Sequence, residues 1–149
     1  MQGTKNVTEE AQIRALRNEL TSAIEAKDVE RVLNCFADEP VMFILSPPLQ
    51  FKGEEGPGSN GIREWFKTFA GRIGYEVRDL EISAGSDVAF GYCLIRISGE
   101  RTNGERTDMW VRETLGFRKV GGQWRIAHQH QSVPMLMDGS NRAAVDLKP

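Results

Sequence analysis

The stretch R-E-T-L-G-F-R-K-V-G-G-Q-W-R-I-A-H-Q-H-Q-S-V-P, residues 112–134, decides the fold. Its centre, V-G-G-Q at 120–123, predicts a two-residue β-hairpin turn, because both central residues of such a turn need positive φ. Side chains two residues apart leave the same face of a strand, so the residues on either side of the turn separate into two faces. The stretch therefore predicts two long antiparallel strands at the end of a sheet.

Pairing Val120 with Gln123 sets the register of this hairpin and sorts its side chains. One face is apolar at one end and is expected to pack on helices; it carries Val111, Glu113, Leu115, Phe117, Trp124, Ile126, His128 and His130. The other face is long and polar with one large aromatic side chain; it carries Trp110, Arg112, Thr114, Gly116, Arg118, Arg125, Ala127, Gln129 and Gln131. In this register Glu113 faces His130, whereas a three-residue loop would place Arg112 beside His130.

The first third of the chain has the periodicity of helices. Thr8 is predicted to cap the first helix, and Asp28 a second, shorter helix that ends at the D-E-P run, residues 38–40. A third helix is predicted to begin at Ser59 or Asn60. Apolar side chains follow each cap at helical spacing: Ile13, Leu16, Leu20 and Ile24; then Val29, Val32, Leu33 and Phe36; then Ile62, Trp65, Phe66 and Phe69.

Strands dominate the rest of the chain. A continuous apolar run at 41–45 predicts a buried strand, and the glycine-rich run G-E-E-G-P-G-S-N-G, residues 53–61, predicts a mobile loop that acts as a lid over a pocket mouth. Further strands are predicted at 76–83, 87–100, 106–119 and 123–133. Helices first and an antiparallel meander afterwards predict an α+β fold, with helices packed on one face of a curved sheet.

The length and composition are those of one domain. At 149 residues the chain is long enough to bury a core, so we expect a single domain over residues 1–149, with 1–7 and 135–149 as loosely ordered tails. The hydrophobic fraction is 40%, the charged fraction is 27% and the net charge is −2. This balance gives no electrostatic reason to expect nucleic acid or an anionic membrane as a partner.

Several features predict a cytoplasmic location. No apolar run approaches the ~18–20 residues that span a bilayer, and the first ten residues lack the apolar core of a signal peptide. Cys35 and Cys93 lie far apart in apolar contexts, which predicts buried free thiols in a reducing compartment.

The order of these elements resembles the nuclear transport factor 2-like superfamily, in its SnoaL-like and ketosteroid-isomerase-like branch. The matching motifs are E-A-K-D-V at 25–29, C-F-A-D-E at 35–39, G-I-R-E-W-F at 61–66 and the ending at 112–134. The ending is also similar to the E-T…G-x-W…H-x-H-x-S run of the association domain of calcium/calmodulin-dependent protein kinases. The resemblance covers about residues 8–134. It implies a cone-shaped, cystatin-like fold, in which three helices pack on a strongly bent antiparallel sheet around a pocket, and dimerisation through the outer sheet face.

The catalytic residues of steroid isomerases with this fold match only in part. Those enzymes use an aspartate as general base, a tyrosine as oxyanion donor and a protonated carboxylic acid as a second donor. The positions that match the first two roles hold Ile44 and Leu20, and the third holds Glu113. The resemblance therefore does not extend to steroid isomerisation.

The cluster of Glu113, His128 and His130 at the end of the predicted apolar face suggests acid–base chemistry. Burial favours the neutral forms of these groups and their mutual attraction favours the charged forms, so such a cluster can be tuned to work near neutral pH. Two other interpretations stay open: the groups satisfy one another at a strand end, or His-x-His and the carboxylate form a facial metal triad. We predict Glu113, His130 and His128 as catalytic residues, with no metal and no cofactor.

The predicted function is that of a SnoaL-like pocket domain that binds a small apolar or carbonyl-bearing ligand, with isomerase, cyclase or hydratase chemistry as its catalytic form. The predicted pocket walls are Trp65, Phe66, Phe69, Tyr92, Leu20, Ile44, Val111 and Leu115. The alternative is a non-catalytic association or ligand-sensing domain. In both cases a homodimer is expected through a face made of Trp110, Arg112, Thr114, Gln129 and Gln131.

Overall fold

The chain folds into three helices and a six-stranded sheet, with two helices first, the third helix after the second strand and four strands at the end, so the predicted α+β class is confirmed. A computed structural model describes residues 2–53 and 58–149, with side chains described for 9–53 and 60–149. Residues 54–57, in the middle of the predicted lid, lie outside the described part of the chain. The helices are α1 (Gln2–Glu25), α2 (Val29–Asn34) and α3 (Gly58–Lys67).

The junction between α1 and α2 follows from local backbone chemistry. Lys27 has φ of 54°, and the next amide, Asp28 N–H, donates to Ala23 O at 2.9 Å, which closes α1 with a left-handed C-terminal turn. The Asp28 carboxylate then accepts from Arg31 N–H at 3.2 Å, so the predicted cap of α2 is confirmed. Thr8 is not the cap of α1, because the helix already begins at Gln2.

Helix α2 is shorter than predicted. It ends at Asn34, and Phe36 begins strand β1 (Phe36–Phe43) where a continuing helix was expected. The strand therefore starts before the predicted run 41–45 and contains Pro40. Pro40 is tolerated because the pairing of β1 shifts register between Phe36 and Val41, where no ladder hydrogen bond needs its missing N–H.

The sheet has one parallel pair. Its remaining strands are β2 (Phe51–Lys52), β3 (Gly74–Ala84), β4 (Val88–Glu100), β5 (Arg106–Val120) and β6 (Gln123–Ser132). The strand order is β2-β1-β6-β5-β4-β3, and every neighbouring pair is antiparallel except β1 with β6. The expected fully antiparallel sheet is therefore a mixed one. Register shifts in three of the pairings bend the strands and give the sheet its curvature.

The last hairpin has the predicted turn but not the predicted register. Pairing runs regularly from the turn to Phe117 with Ile126, and the next pair is Gly116 with His128, which leaves Ala127 as the extra residue of a β-bulge. Beyond a bulge, each side chain points to the face opposite to the one it would occupy in a regular strand. The predicted pairing of Glu113 with His130 is therefore wrong: Glu113 pairs with Gln131, and His130 pairs with Thr114.

The core lies between the helices and the concave face of the sheet. It is built from Ile13, Leu20, Ile24, Val32, Phe66, Phe69, Ile73, Tyr75, Ile95, Val111, Leu115, Phe117, Trp124 and Ile126, with several smaller residues. Leu33, which was expected on the buried face of α2, is 36% exposed. No helix in the described part of the chain is both long and apolar enough to cross a membrane.

The segment after β6 closes back on itself. Leu136 N–H donates to Arg142 O, and Ala144 N–H donates to Pro134 O, both at 2.7 Å. Ala144, near the far end of this closed segment, is buried.

Candidate ligand-binding cavity

A cavity of about 410 Å³ lies between the helices and the sheet. Its walls are mostly apolar and include Leu20, Ile24, Val32, Phe36, Met42, Ile44, Leu45, Ile62, Trp65, Phe66, Ile97 and Met109. The polar residues that border it are Ser46, Tyr75, Arg101, Thr107, Gln129 and Gln131. This is the volume and composition of sites that enclose small organic molecules.

The predicted pocket walls divide into three groups. Leu20, Ile44, Trp65 and Phe66 border the cavity. Phe69, Val111 and Leu115 are buried core residues behind its walls. Tyr92 was expected in the pocket, but it pairs with Thr114 on the outer face of the sheet and is 51% exposed. Alternation along β4 fixes this outcome, because the neighbouring Cys93 points inward and is buried.

Behind the cavity wall lies a fully buried ion pair. Arg17 Nη2 on α1 is 2.9 Å from Glu113 Oε1 on β5, and both side chains are 0% exposed. Arg17 Nη1 also donates to Thr21 Oγ1 at 3.1 Å. Gln129 and Gln131 each donate an Nε2–H to Glu113 Oε2 at 3.0 Å. The charged pair thus connects α1 to both strands of the last hairpin.

The contacts of Glu113 identify it as a carboxylate. Gln129 and Gln131 donate to Oε2, the Arg17 guanidinium lies 2.9 Å from Oε1 as an ion-pair partner, and in the described part of the chain no acceptor is paired with either oxygen. A protonated acid would need an acceptor for its O–H. The position matched by the resemblance therefore does not hold a proton donor here. Its effect is to orient two amides that border the cavity.

Burial and the charges of the ion pair together shift the pKa values of the ionisable groups at this site. Burial by itself lowers the pKa of Arg17, but the attractions of Glu113, Tyr75 and Cys93 together outweigh it and leave that pKa raised, so the guanidinium stays charged. Burial, and then the charge of Glu113, raises the pKa of Tyr75 above its usual range. Burial raises the pKa of the Cys93 thiol to about 11, with Arg17 opposing the shift. Tyr75 therefore borders the cavity as a neutral phenol at physiological pH.

The two histidines lie on the outer face of the sheet and not beside Glu113. His128 Nδ1 is 2.7 Å from Val41 O, and because a carbonyl only accepts, that nitrogen carries the hydrogen. His130 is exposed. The ring of Phe43 makes edge contacts to both, with centroid distances of 4.8 Å to His128 and 5.3 Å to His130. The bulge at Ala127 places them there, so the predicted acid–base cluster with Glu113 is not formed.

The predicted dimer face is divided by the same bulge. Trp110, Arg112 and Thr114 lie on the outer face, and Arg112 and Thr114 are exposed. Gln129 and Gln131, which were assigned to that face, point inward and contact Glu113. Among the described residues no group of three His, Cys, Asp or Glu side chains is arranged to hold a metal ion.

Sequence reasoning missed Arg17 and the inward position of the two glutamines. Arg17 lies four residues after Ile13 and three before Leu20, on the apolar stripe of α1, where a charged side chain needs a buried partner. That spacing was a usable signal. The inward position of Gln129 and Gln131 depends on the bulge, for which a lone glycine opposite, Gly116, was the only sequence signal.

Comparison with known proteins agrees with this architecture. A family model described as a SnoaL-like domain matches residues 13–136. A search of curated proteins finds no match. Among solved structures, a nuclear transport factor 2-like protein of unknown function from Pseudomonas putida KT2440 is 29% identical with a TM-score of 0.85, and the match covers 96% of this chain and 98% of that one.

Two more distant structures show the same fold. A nuclear transport factor 2-like superfamily protein from Salmonella enterica is 20% identical with a TM-score of 0.77, over 91% of this chain and 98% of that one. The association domain of C. elegans CaMKII is 20% identical with a TM-score of 0.68, over 86% of this chain and 98% of that one.

Proposed function

The chain belongs to the SnoaL-like domain family, and on that premise we propose that its internal cavity binds a small, largely apolar molecule that carries a hydroxyl or carbonyl group. The observation that carries the proposal is the pair of amides, Gln129 and Gln131, that border the cavity while Glu113 holds them from behind. Ligand sites of this kind combine apolar walls with a few polar groups whose orientation is fixed.

The orientation of the amides follows from the charge of Glu113. A carboxylate accepts hydrogen bonds and cannot donate them, so each glutamine must present Nε2 to it. The amide oxygen and the second N–H of each glutamine are then left for a ligand. A hydroxyl can use both of these groups, and a carbonyl can use the N–H. Because the glutamines are held in place before binding, a ligand does not have to order them.

Binding fits the described lining better than acid–base catalysis does. The described residues that border the cavity include no carboxylate and no imidazole. Glu113 lies behind the glutamines in an ion pair, and both histidines lie on the other face of the sheet. The proposal therefore assigns Glu113 a positioning role.

Isothermal titration with 1-decanol and 2-decanone tests the proposal. We expect both compounds to bind the wild type. We expect Gln131→Leu to weaken the affinity for 1-decanol by about fivefold, which is the effect of losing one hydrogen bond. Gln123→Leu is the matched control, because Gln123 lies on the same strand but is exposed at the hairpin turn. The proposal fails if neither compound binds the wild type, or if the two variants bind 1-decanol equally well.

A second function, self-association through the outer sheet face, is supported by an exposed aromatic pair. Phe90 and Tyr92 are 49% and 51% exposed, and their rings stack with centroids 6.5 Å apart. The pairing register continues this patch from Tyr92 through Thr114 and His130 to Phe43. Aromatic residues are enriched in interfaces between proteins. A homodimer through this face is compatible with ligand binding, because the cavity lies on the opposite side of the sheet.

A further inference from the structure

Arg101 introduces a positive charge into a cavity that is otherwise apolar or neutral. Among the described residues that border the cavity, Arg101 alone is charged. It follows β4, at the start of the turn that joins β4 to β5, and is half-buried. Within the described part of the chain no carboxylate lies within ion-pair distance of its guanidinium; the nearby Glu100 is instead 3.9 Å from Arg106.

Neutral contacts hold the guanidinium in place. Nη1 donates to Thr107 Oγ1 at 3.1 Å and Nη2 donates to Thr68 Oγ1 at 2.7 Å. The Thr68 hydroxyl itself donates to Trp65 O at 2.6 Å, which turns its oxygen towards Arg101. The guanidinium also lies over the ring of Phe69, 4.2 Å from its centroid. These contacts fix the side chain without neutralising its charge.

Three N–H donors of Arg101 are left over. A guanidinium has five N–H groups, and the two threonines use two of them. A fixed guanidinium with free donors at an apolar surface is a favourable receptor for a planar anion, and charge-assisted bonds to carboxylates are about twice as strong as neutral ones.

The charge of Arg101 lies at the start of β5, and the glutamines lie beside the middle of that strand. Thr107, which contacts Arg101, is six residues from Glu113, which holds the glutamines; six residues of extended strand span about 20 Å at most. Apolar side chains, including Met109 and Ile97, line the space between them. An elongated ligand can therefore reach from one polar end towards the other.

We infer that the ligand is an apolar monocarboxylate whose hydroxyl or carbonyl group lies at the glutamines and whose carboxylate pairs with Arg101. The inference rests on the proposed binding function and names the chemical class of its ligand. It follows from three observations taken together: the sole charged residue among the described lining, the absence of an acidic partner for it in the described chain, and the apolar path that leads away from it.

The test compares three probes that share one apolar chain: decanoate, 1-decanol and decyltrimethylammonium. Isothermal titration at pH 7 and low salt is expected to show decanoate binding at least about tenfold more tightly than 1-decanol, with decyltrimethylammonium weakest. Arg101→Gln should weaken the affinity for decanoate by about tenfold and change the affinity for 1-decanol by less than threefold. Arg101→Lys should keep part of the preference for decanoate, because it keeps the charge. Arg106→Gln, an exposed arginine on β5, is the control and should bind all three as the wild type does.

The outcomes separate this inference from the function on which it rests. If 1-decanol binds but decanoate is no tighter, or if Arg101→Gln weakens both equally, the carboxylate assignment is overturned and the proposed binding function stands. If none of the three probes binds the wild type, both are overturned. A melting curve for each variant identifies any loss of affinity that comes from unfolding. If Arg101→Gln does not fold, the preference of Arg101→Lys for decanoate over 1-decanol decides the result, and the loss of that preference in a folded Arg101→Lys variant overturns the assignment.

Discussion

Arg17 and Glu113 hold the interior of the domain together at the scale of single residues. Each is a charged side chain without solvent contact, so each depends on the other for compensation of its charge. Removing one leaves an unpaired buried charge, which is far more destabilising than the loss of an ion pair on the surface. The same contacts orient the glutamines, so stability and binding depend on one cluster.

Arg17→Met is expected to lower the free energy of unfolding by about 3–5 kcal/mol. The matched control is Arg14→Met on the same helix, because Arg14 pairs with Glu10 in an exposed i, i+4 pair with side chains 44% and 46% exposed. We expect that control to change stability by less than about 1 kcal/mol. Urea unfolding followed by circular dichroism measures both. Equal losses for the two variants would show that the buried pair is not critical to the fold.

The two buried thiols make stability depend on alkaline pH. Burial raises the pKa of Cys35 and of Cys93 to about 11, whereas a thiol in an unfolded chain ionises near 8.5. The unfolded state therefore releases its protons first, so the thiol contribution is fully present below about pH 8.5 and is lost as pH rises towards 11. Urea unfolding at several pH values between 7 and 11 should show this fall.

A double variant, Cys35→Ala with Cys93→Ala, isolates the effect of the thiols. Other groups, Tyr75 among them, also contribute to alkaline destabilisation, so the comparison must be between the two pH profiles. The variant is expected to lose less stability than the wild type between pH 8.5 and 11. Parallel profiles would contradict the assignment of these thiols as buried and neutral.

At the scale of elements, the bulge in β6 determines what the last hairpin presents to each side. The turn and the first pairs up to Phe117 with Ile126 were predictable, because glycines at 121 and 122 require a specific turn geometry. The bulge was not predictable from Ala127, which has no special backbone preference, and the glycine opposite, Gly116, was the only signal for it. Pro40 was also misassigned from its residue type. Proline usually ends a helix, but Pro40 lies within strand β1 at a register shift.

Deleting Ala127 tests the bulge. Without the extra residue His128 follows Ile126 directly, and the observed pairs Gly116 with His128 and Glu113 with Gln131 can remain. We therefore expect the deletion variant to fold cooperatively, with a loss of roughly 1–3 kcal/mol. The control is deletion of Thr114 from β5, which has no extra residue to absorb the change and should not fold. If both deletions abolish folding, the assigned register is wrong.

For the whole molecule, the sequence was sufficient for the fold class and insufficient for the site. Helix spacing around Ile13 and Leu20, the strand pattern and the final hairpin specify the layers, because each is a property of local periodicity. The site depends on which side chains of β6 face the cavity. The one unpaired residue, Ala127, exchanges the inward-facing and outward-facing side chains of the strand beyond it. The cavity walls contributed by α3 were predictable, whereas Gln129 and Gln131 were assigned to the wrong face.

Self-association is the prediction that concerns the whole molecule. The exposed, stacked Phe90 and Tyr92 are expected to be covered in a homodimer, so Tyr92→Glu should weaken dimerisation by at least about tenfold. Leu147→Glu is the control, because Leu147 is 50% exposed in the segment after β6. Sedimentation equilibrium over a range of concentrations measures both. A monomeric wild type, or a dimer that Tyr92→Glu leaves unchanged, would exclude this face as the interface.

The central claim is that two glutamines, oriented by Glu113, bind the polar group of an apolar ligand inside the cavity. The most direct measurement is the side-chain amide region of a ¹⁵N NMR spectrum, recorded as 1-decanol is added. The account predicts that the Gln129 and Gln131 amide signals shift in a saturable way while those of Gln123 stay fixed. Saturable binding with no change at Gln129 or Gln131 would contradict it.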